Sequence, residues 1–478
     1  MKKFRYVILL FCLIPCVFLF SACSFFATEK VYVTDIVKTE VVGDTATYTV
    51  YYSNGETSIL TVDKGRDGVD GDDFTLEMLQ EYSVQKGYDD FDEFLKDYLS
   101  VSYEKDDVQD ATNTAIQSAV TVWCEFPVKD FYNNRKTEIA CGAGVIYDME
   151  DGSEYSYILT NYHVVYYSSC ATSNHIAKRI NIYQYGGDES VYDAGDTLDG
   201  YPTYTYGNGA IEAEFIGGSL NYDLAVLKVK TDDLLTHNEY AEAVTLADDY
   251  NLGESAIAIG NPECEGFSVT SGIISVVSED IQMTGADDIT NCQFRVMRID
   301  TAVNGGNSGG GLFNMNGELI GIVNAKAVSS DIDNIAYALP IDNVTKVANN
   351  LIYYYEQSGK TAQVKKLVLD IQYTTENSHA VYNPATNRTT VVDELKVAEV
   401  TLGGVGNLMG LHEGDVIKSI SINGTVHNIT RAYQLADWLL TIRTGDKIML
   451  TVKRNNLTKE LGIVGDLGIL STQLKVVE

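Results

Sequence analysis

The stretch "DTAVNGGNSGGGLF", residues 300–313, surrounds a single serine, Ser308, with glycines. A serine hydroxyl is a poor nucleophile at neutral pH, so it needs a neighbouring base and a carboxylate behind that base. It also needs backbone N–H groups directed at the oxyanion that forms during attack. Glycines allow positive φ and keep Cβ atoms away from a substrate. The stretch predicts a nucleophilic serine, although alone it also fits an ordinary glycine-rich turn.

Two further segments supply the partners that such a serine requires. His163 follows an apolar strand in "LTNYHVV", and Asp223 opens the alternating strand "DLAVLKV". Taken singly, His163 also fits a turn histidine and Asp223 a strand-capping residue. The chain order His163, Asp223, Ser308 is that of the chymotrypsin-like proteases. We therefore interpret the three residues as one catalytic set.

The strings around these residues resemble the HtrA/DegP branch of the serine proteases. "LTNYHVV" is similar to its LTNxHVV, "DLAVLKV" is almost unchanged, and "GNP", "SVTSGIIS" and "NGGNSGGGLFN" follow in the family order. The resemblance covers about 235 residues. It implies a chymotrypsin-like double β-barrel and cleavage through an acyl-enzyme, with no metal or other cofactor.

The resemblance also implies the role of each residue. Ser308 would be the nucleophile, His163 the general base and then acid, and Asp223 the orienting carboxylate. The N–H groups of Gly306 and Ser308 would form the oxyanion hole. Glycines at 305 and 311 replace two prolines of the family loop. Because proline restricts φ, we expect the resting hole to be less ordered than in the family.

Substrate preference follows from three positions that the resemblance assigns to the S1 pocket. Ala302 would form its base, and Ala325 and Ile335 its walls. With no acidic residue at the base, a preference for Arg or Lys is excluded, and small or medium aliphatic P1 residues are favoured. Ordinary strand packing is the alternative for each of the three.

The N-terminus predicts export and a lipid anchor. "MKKFR" is a basic n-region, a run of about fifteen apolar residues follows, and "SAC" ends at Cys23. This ending resembles a bacterial lipobox, in which the cysteine is lipidated. The run is short for a membrane span and contains Pro15, so a transmembrane anchor is the less favoured alternative. We expect the protein on the outer face of the cell membrane.

Five cysteines remain beyond the lipid site, namely Cys124, Cys141, Cys170, Cys264 and Cys292. Export permits disulfides without requiring them. Chymotrypsin-like enzymes often bridge the loop that carries the histidine, and this resemblance favours a Cys141–Cys170 disulfide. Two buried free thiols are the alternative. The sequence assigns no partners to Cys264 and Cys292.

Composition restricts the partners. The formal net charge is −33 over 478 residues, and phosphate binding needs clustered Lys and Arg, so nucleic acid is excluded as a partner. Polypeptide substrates and the membrane, through the lipid anchor, are the partners that we expect. The resemblance also implies a homotrimer, which the sequence neither shows nor excludes.

The chain divides into six predicted regions. They are a signal peptide (1–23), a small β region (24–64), a Gly/Asp linker (65–74), a helical segment (75–107), the protease domain (108–358) and a PDZ-like domain (362–478). We expect a mostly β protein with an α+β module at its C-terminus. Residues 186–209, rich in Tyr and Gly, are predicted to be an insertion between strands.

The C-terminal module resembles the PDZ domains of HtrA proteins in "GLHEGDVIKSISING", residues 410–424. A PDZ groove binds a peptide as an added strand and holds its carboxylate on backbone N–H groups. The binding loop corresponds to "LVLDIQY", residues 367–373, with Asp370 where the family has glycine. We expect that carboxylate to repel a peptide C-terminus.

The sequence thus predicts an HtrA-like serine endopeptidase that cleaves unfolded or partly folded proteins at the cell envelope. The alternative is a non-catalytic peptide-binding or chaperone lipoprotein that uses the PDZ-like groove. The complete set of His163, Asp223 and Ser308 favours the enzyme.

Replacing Cys23 tests the lipid anchor. The Cys23→Ser variant should move from the membrane to the soluble fraction, because the acylated side chain is lost. Immunoblotting of fractionated cells measures this, with Cys124→Ser as a matched control that stays in the membrane. Membrane retention of the Cys23 variant would contradict the lipoprotein prediction.

Overall fold

A computed structural model describes residues 33–42, 45–52, 57–63, 76–86, 88, 91, 94, 107–150, 152–324, 335–463 and 468–477. The chain forms two compact units, Met1–Asp106 and Asp107–Glu478. The predicted signal peptide, Cys23 and the Gly/Asp linker lie outside the described residues. Within these ranges, no helix is both long enough and apolar enough to cross a membrane.

The first unit contains a three-stranded antiparallel meander and one helix. Its elements are β1 Val33–Val42, β2 Thr45–Tyr52, β3 Thr57–Asp63 and α1 Leu76–Gln85. Strand β2 alternates, so Tyr48, Val50 and Tyr52 are buried on one face. These strands lie within the small β region that the sequence predicted for residues 24–64. The part of the predicted helical segment (75–107) that follows α1 falls mostly on residues outside the described ranges.

The second unit opens with a helix that the sequence did not predict, α2 Asp107–Ala115, and continues into a seven-stranded antiparallel sheet. The sheet order is β10-β7-β4-β5-β6-β12-β11. The strands are β4 Ala119–Lys129, β5 Arg135–Asp148, β6 Tyr155–Thr160, β7 Arg179–Gln184, β10 Ile211–Glu212, β11 Glu214–Ser219 and β12 Leu224–Lys230; the helices α3 Tyr162–Val165 and α4 Thr231–His237 connect them. Strand β4 is buried along almost its whole length, and its buried residues include the polar Thr121 and the charged Glu125.

A closed six-stranded barrel follows, with the order β13-β14-β15-β18-β17-β16. Its strands are β13 Ser255–Gly260, β14 Ser268–Thr284, β15 Asn291–Ile299, β16 Gly311–Phe313, β17 Leu319–Val323 and β18 Ala336–Pro340. One buried cluster contains residues from both sheets, including Val145 and Leu159 from the first and Phe294 and Phe313 from the barrel. The two sheets therefore share a core, and the loops at their junction are held from both sides.

The predicted Tyr- and Gly-rich insertion forms a hairpin of its own, β8 Val191–Leu198 and β9 Tyr201–Tyr206. It is attached to β5, because Thr137 Oγ1 donates to the Pro202 carbonyl (2.6 Å) and Arg135 Nη1 donates to the Asp199 carbonyl (3.0 Å).

Helix α5, Ile341–Ser358, leads out of the barrel and ends at Gly359, whose φ of 62° is the left-handed C-cap conformation. Asp342 lies in the first turn of this helix.

The C-terminal module is an antiparallel sheet, β20-β21-β22-β24-β25, with β23 paired to β22. Its elements are β19 Lys365–Leu367, β20 Ile371–Asn383, β21 Arg388–Val400, α6 Val405–Met409, β22 Val416–Ile422, β23 Thr425–Asn428, α7 Ala432–Leu439, β24 Ile448–Arg454, β25 Leu457–Gly462 and β26 Leu474–Val476. Strand β20 lies at the edge of the sheet, so it is paired on one side only within the described residues.

A buried arginine joins the barrel to this module. Arg295 of β15 pairs with Asp342 of α5 and with Asp437 of α7 (Nη1–Oδ2, 2.8 Å), and its guanidinium lies over the Tyr433 ring. Asn343 Nδ2 donates to the other Asp437 oxygen (2.8 Å). Burial raises the pKa of Asp437. Three elements from two modules thus meet at one buried charge cluster.

A second buried pair lies inside the module. Arg454 binds both Asp415 oxygens (2.6 Å each), and Asp415 has 0% side-chain exposure. Burial alone would raise the pKa of Asp415, but the hydrogen bonds and charge of Arg454, together with the hydrogen bond from the His412 N–H, outweigh it and hold this pKa below its usual range.

Replacing Arg454 with methionine should lower the free energy of unfolding of the module by roughly 3–5 kcal/mol, because it leaves the Asp415 carboxylate buried and unpaired. The pair stabilises the fold above the ordinary carboxyl pKa, so this deficit should shrink as the pH falls below about 4. Urea unfolding followed by Trp438 fluorescence in a Trp123→Phe background measures it. Arg388→Met, which removes an exposed pair with Asp249, is the control and should cost less than about 1 kcal/mol. Equal costs for the two variants would contradict the prediction.

Candidate active site

The structure brings together the three residues that the sequence singled out. His163 lies in the single turn α3 after β6, Asp223 in the turn between β11 and β12, and Ser308 in the loop between β15 and β16. His163 Nδ1 is 2.6 Å from Asp223 Oδ2, and His163 Nε2 is 2.8 Å from Ser308 Oγ. The imidazole therefore connects the carboxylate of one sheet to the hydroxyl of the barrel.

The Asp223 carboxylate is buried and accepts several hydrogen bonds. Besides the imidazole, it accepts from the His163 backbone N–H (3.0 Å) and from Asn324 Nδ2 (3.0 Å). Its own carbonyl accepts from the Tyr162 N–H (3.1 Å) and from Asn161 Nδ2 (2.9 Å). These contacts lock the position of the carboxylate relative to the histidine turn.

A carboxylate fixed in this way determines which ring nitrogen carries the proton. The Nδ1–H of His163 donates to Asp223, so the Nε2 lone pair faces the Ser308 hydroxyl. In this tautomer the imidazole can accept a proton from Ser308, and the resulting imidazolium is stabilised by the carboxylate.

Two consecutive type II turns shape the serine loop. The Asn307 N–H donates to the Asn304 carbonyl (3.1 Å), and the Gly310 N–H donates to the Asn307 carbonyl (3.0 Å). The third position of each turn is a glycine with positive φ, Gly306 at 96° and Gly309 at 85°. Ser308 is the second residue of the latter turn, so its side chain is presented at the bend.

Glycine is required at both third positions for space as well as for φ. A Cβ on Gly306 would lie 2.0 Å from the Asn261 carbonyl oxygen, and one on Gly309 would lie 2.3 Å from the Ala143 carbonyl oxygen. The glycines of this loop therefore serve close backbone packing around the serine.

The two predicted oxyanion donors are free of protein acceptors. In the part of the chain that the structure describes, neither the Gly306 N–H nor the Ser308 N–H donates to a protein group. The Gly305 carbonyl accepts from the Glu263 N–H (2.8 Å). Although glycines replace both family prolines, the turn at Gly305 is closed by its hydrogen bond. At 311, a larger residue would meet the Phe313 ring 2.3 Å from its Cβ.

The specificity positions are described only in part. Ala302 is exposed and its carbonyl accepts from Thr270 Oγ1 (2.9 Å), while Ile335 is half-buried. Ala325 lies outside the described residues. Their assignment to the S1 pocket stays a prediction.

The predicted Cys141–Cys170 disulfide is wrong. Cys141 is bonded to Cys264, with the two Cα atoms 5.9 Å apart and a sequence separation of 123. Cys170 is a buried free thiol whose Sγ lies 3.2 Å from Thr172 Oγ1. The chain after α3 turns back on itself here, so Cys170 points into its own loop, while Cys141 faces the turn that contains Cys264.

Asn161 and Asn324 are the two contacts that sequence reasoning missed. Both are fully buried, and both bond to Asp223. Asn161 stands within the "LTNYHVV" motif, so its position two residues before His163 was an available signal. Asn324 lies after strand β17, and only the fold places it near Asp223.

Comparisons with known proteins show which proteins this chain resembles. Residues 142–322 match the model of the trypsin-like peptidase domain. The chain is 28% identical over 324 residues to the serine protease Do-like HtrA of Lactococcus lactis subsp. cremoris, covering 66% of this chain and 68% of the relative. It is 31% identical over 314 residues to the serine protease HtrA-like of Staphylococcus epidermidis, covering 63% and 46%. The alignments thus span from about half to two thirds of these relatives.

Solved structures were also found. The HtrA-type protease AlgW with a decapeptide is 23% identical, with a TM-score of 0.46, covering 78% of this chain and 99% of that one. A serine endoprotease from Yersinia pestis is 24% identical, with a TM-score of 0.40, covering 78% and 98%.

These findings confirm the predicted mostly β fold class and the resemblance to HtrA-like serine proteases. Residues 142–322 form a trypsin-like peptidase domain of the serine endopeptidase type, in a mostly β protein.

Substitutions at two adjacent glycines test the turn. Gly305 occupies the second position of a type II turn, where proline is favoured, and a Cβ there would have no atom within 4 Å. Gly305→Pro should therefore react roughly two- to fivefold faster with a fluorophosphonate probe, because proline fixes φ and leaves the loop fewer conformations other than the turn. Gly306→Ala, with its positive φ and blocked Cβ, should react about 100-fold more slowly. Similar rates for the two variants would contradict the turn assignment.

Proposed function

We propose that the protein is an HtrA-like serine endopeptidase that cleaves unfolded or partly folded polypeptides through an acyl-enzyme. The observation that carries this proposal is a pair of hydrogen bonds: His163 Nδ1–H donates to Asp223 Oδ2 (2.6 Å), and the Ser308 hydroxyl donates to His163 Nε2 (2.8 Å). Ser308 acts as the nucleophile, His163 as the general base and then acid, and Asp223 as the orienting carboxylate. This arrangement also favours an enzyme over the alternative of a peptide-binding chaperone.

The proposed reaction begins at the Ser308 hydroxyl. Its Oγ attacks the carbonyl carbon of the peptide bond while His163 Nε2 takes its proton. The imidazolium then donates that proton to the leaving amine, and the bond to the amine breaks. A water molecule then attacks the acyl-enzyme carbonyl and gives a proton to His163 Nε2. The bond to Ser308 Oγ breaks, the carboxylic acid leaves, and His163 returns the proton to Ser308.

The oxyanion of each tetrahedral intermediate is assigned to the N–H groups of Gly306 and Ser308. Support comes from the lack of protein acceptors for these two donors in the described residues. Backbone donors that are already oriented stabilise developing charge without reorganising during the reaction, and this effect is often the largest single contribution to catalysis.

Small or medium aliphatic residues are the proposed P1 preference. Ala302, Ala325 and Ile335 carry no charge, and Ala302 leaves the base of the pocket without a group that could pair with Arg or Lys. Any basic P1 side chain would be desolvated there without a counter-ion, which is unfavourable.

The C-terminal module is proposed to be a PDZ-like peptide-binding domain. A cavity of about 500 Å³ lies where strand β20 and helix α7 face the protease domain. Its lining residues include Tyr373 and Thr375 of β20, Tyr433 of α7, and Gln293 and Arg295 of β15. An edge strand facing a helix is the geometry that receives a peptide as an added strand.

The expected repulsion by Asp370 has no support in the geometry. Asp370 has a left-handed φ of 55°, and its carboxylate accepts from the Val405 N–H (3.4 Å) beside Gly404. The side chain therefore faces the start of α6. We propose that Asp370 fixes this loop by replacing the positive-φ glycine of the family.

The cell envelope is the proposed place of action, with the protein held on the outer face of the membrane by a lipid at Cys23 and assembled as a homotrimer. The signal sequence supports export, and the strongly acidic chain suits a protein that acts on polypeptides rather than nucleic acid.

Fluorophosphonate labelling and hydrolysis of unfolded casein test the proposal. Wild-type protein should be labelled and should degrade casein, whereas Ser308→Ala should abolish labelling. Asp223→Asn should lower kcat by about 10⁴-fold, because the wrong imidazole tautomer then faces Ser308. Ser471→Ala, a change at an exposed serine, is the matched control and should behave as wild type. Casein binding without labelling or cleavage would favour the chaperone alternative.

A further inference from the structure

The turn at residues 261–266, between β13 and β14, supports the loop that carries the proposed oxyanion hole. The Asn261 N–H donates to the Gly306 carbonyl (3.3 Å), and the Glu263 N–H donates to the Gly305 carbonyl (2.8 Å). Both carbonyls that flank the Gly306 residue are thus held by one neighbouring turn.

This support determines where the Gly306 N–H points. The carbonyl and the N–H of one planar trans peptide point in opposite directions. Because Glu263 holds the Gly305 carbonyl on its own side, the Gly306 N–H of the same peptide must point away from the turn. If the peptide rotated, the Gly306 N–H would leave the hole and the Gly305 oxygen would take its place.

The supporting turn is itself strained. Glu263 and Cys264 are consecutive residues with positive φ, 58° and 60°, and neither is glycine. Glu263, Cys264 and Glu265 are all exposed, so packing does not hold them. Such conformations persist only where the surroundings impose them. The covalent bond from Cys264 to Cys141 is one constraint on this turn, and hydrogen bonds within it, such as that from the Gly266 N–H to Asn261 Oδ1 (2.8 Å), are the other.

The other end of the disulfide lies beside the serine. Cys141 precedes Gly142 and Ala143 in β5, and the Ala143 N–H donates to the Ser308 carbonyl (2.8 Å). The bond therefore ties together the two segments that hold the loop, one at Ser308 and the other at Gly305.

We propose that the Cys141–Cys264 disulfide is a redox-sensitive positioning element that keeps the Gly306 N–H directed into the oxyanion hole. This inference rests on the proposed function of Ser308. Opening the bond releases residues 263 and 264 from positive φ, which removes the Glu263 hydrogen bond and lets the Gly305–Gly306 peptide rotate. The enzyme is then active when oxidised and weakly active when reduced.

The reductant is a dithiol. One of its thiolates attacks the sulfur of Cys264, which is an exposed residue, the Cys141–Cys264 bond breaks, and Cys141 leaves as a thiolate that takes up a proton. The second thiolate of the dithiol attacks its own sulfur in the mixed disulfide and releases Cys264, which is protonated in turn. The protein gains two electrons and two protons, and the dithiol becomes a disulfide.

The remaining cysteines of the described residues do not compete for this reaction. Cys124, Cys170 and Cys292 are buried, and burial raises the pKa of the Cys124 thiol, which suppresses its thiolate. Cys170→Ala thus provides a matched control that removes a thiol near the histidine and leaves the disulfide intact.

The experiment measures kcat and KM of the full chain on a peptide substrate before and after dithiothreitol, with thiol titration to show that the bond has opened. Reduction should lower kcat at least tenfold with KM changed less than twofold, because one oxyanion donor is misdirected while the substrate still binds. Reoxidation should restore kcat. Cys170→Ala should show the same loss and recovery.

Two variants separate positioning from general stability. Cys141→Ala/Cys264→Ala should have the low kcat with or without dithiothreitol. Adding Gly305→Pro to it should raise kcat at least threefold more than the same substitution raises it in the oxidised wild type, because proline at the second turn position favours the oriented peptide independently of the disulfide. A purely structural bond would not be rescued in this way.

Unchanged kcat after proven reduction would overturn this inference, as would a loss of kcat that Gly305→Pro leaves uncorrected. In either case the oxidised wild type still shows turnover that depends on Ser308. Absence of that turnover in the oxidised chain would instead overturn the proposed function, and this inference with it.

Discussion

The buried carboxylate of Asp223 is the group on which the geometry of the site depends. It accepts from the imidazole and the backbone N–H of His163 and from Asn324, and its own carbonyl receives two further donors. A buried charge is tolerated only when such partners surround it. The same contacts bring the histidine turn against the β11–β12 turn and join both to the end of the barrel.

Around that carboxylate, each of the two sheets contributes what the other lacks. The first supplies His163 and Asp223, and the barrel supplies Ser308 with its two type II turns. The shared core, which includes Val145 and Phe313, fixes the position of the two sheets relative to each other. Because tightly packed interiors deform little, the distances between the three side chains are set by packing as well as by hydrogen bonds.

The sequence predicted the site residues because each stands in a short local motif. Ser308 is enclosed by glycines that the turns require at 306 and 309. His163 follows one apolar strand, and Asp223 opens another. Contacts between distant segments were not predictable in this way. Cys264 pairs with a residue 123 positions away, and Asn324 reaches Asp223 only through the barrel. From the residue type alone, Asp370 was expected to repel a peptide C-terminus, but its backbone conformation turns its carboxylate towards the Val405 N–H.

The Arg295 cluster has a consequence for how the two modules of the second unit stay together. Separating the modules would break the Arg295–Asp437 ion pair, but water would then hydrate both charges. The net contribution of this ion pair to the free energy of docking is therefore small. The geometric demands of the cluster are nevertheless strict, since Asn343, Asp342 and Tyr433 must all meet the same two groups. Such a contact specifies one docked orientation of the two modules while adding little to the free energy of their association.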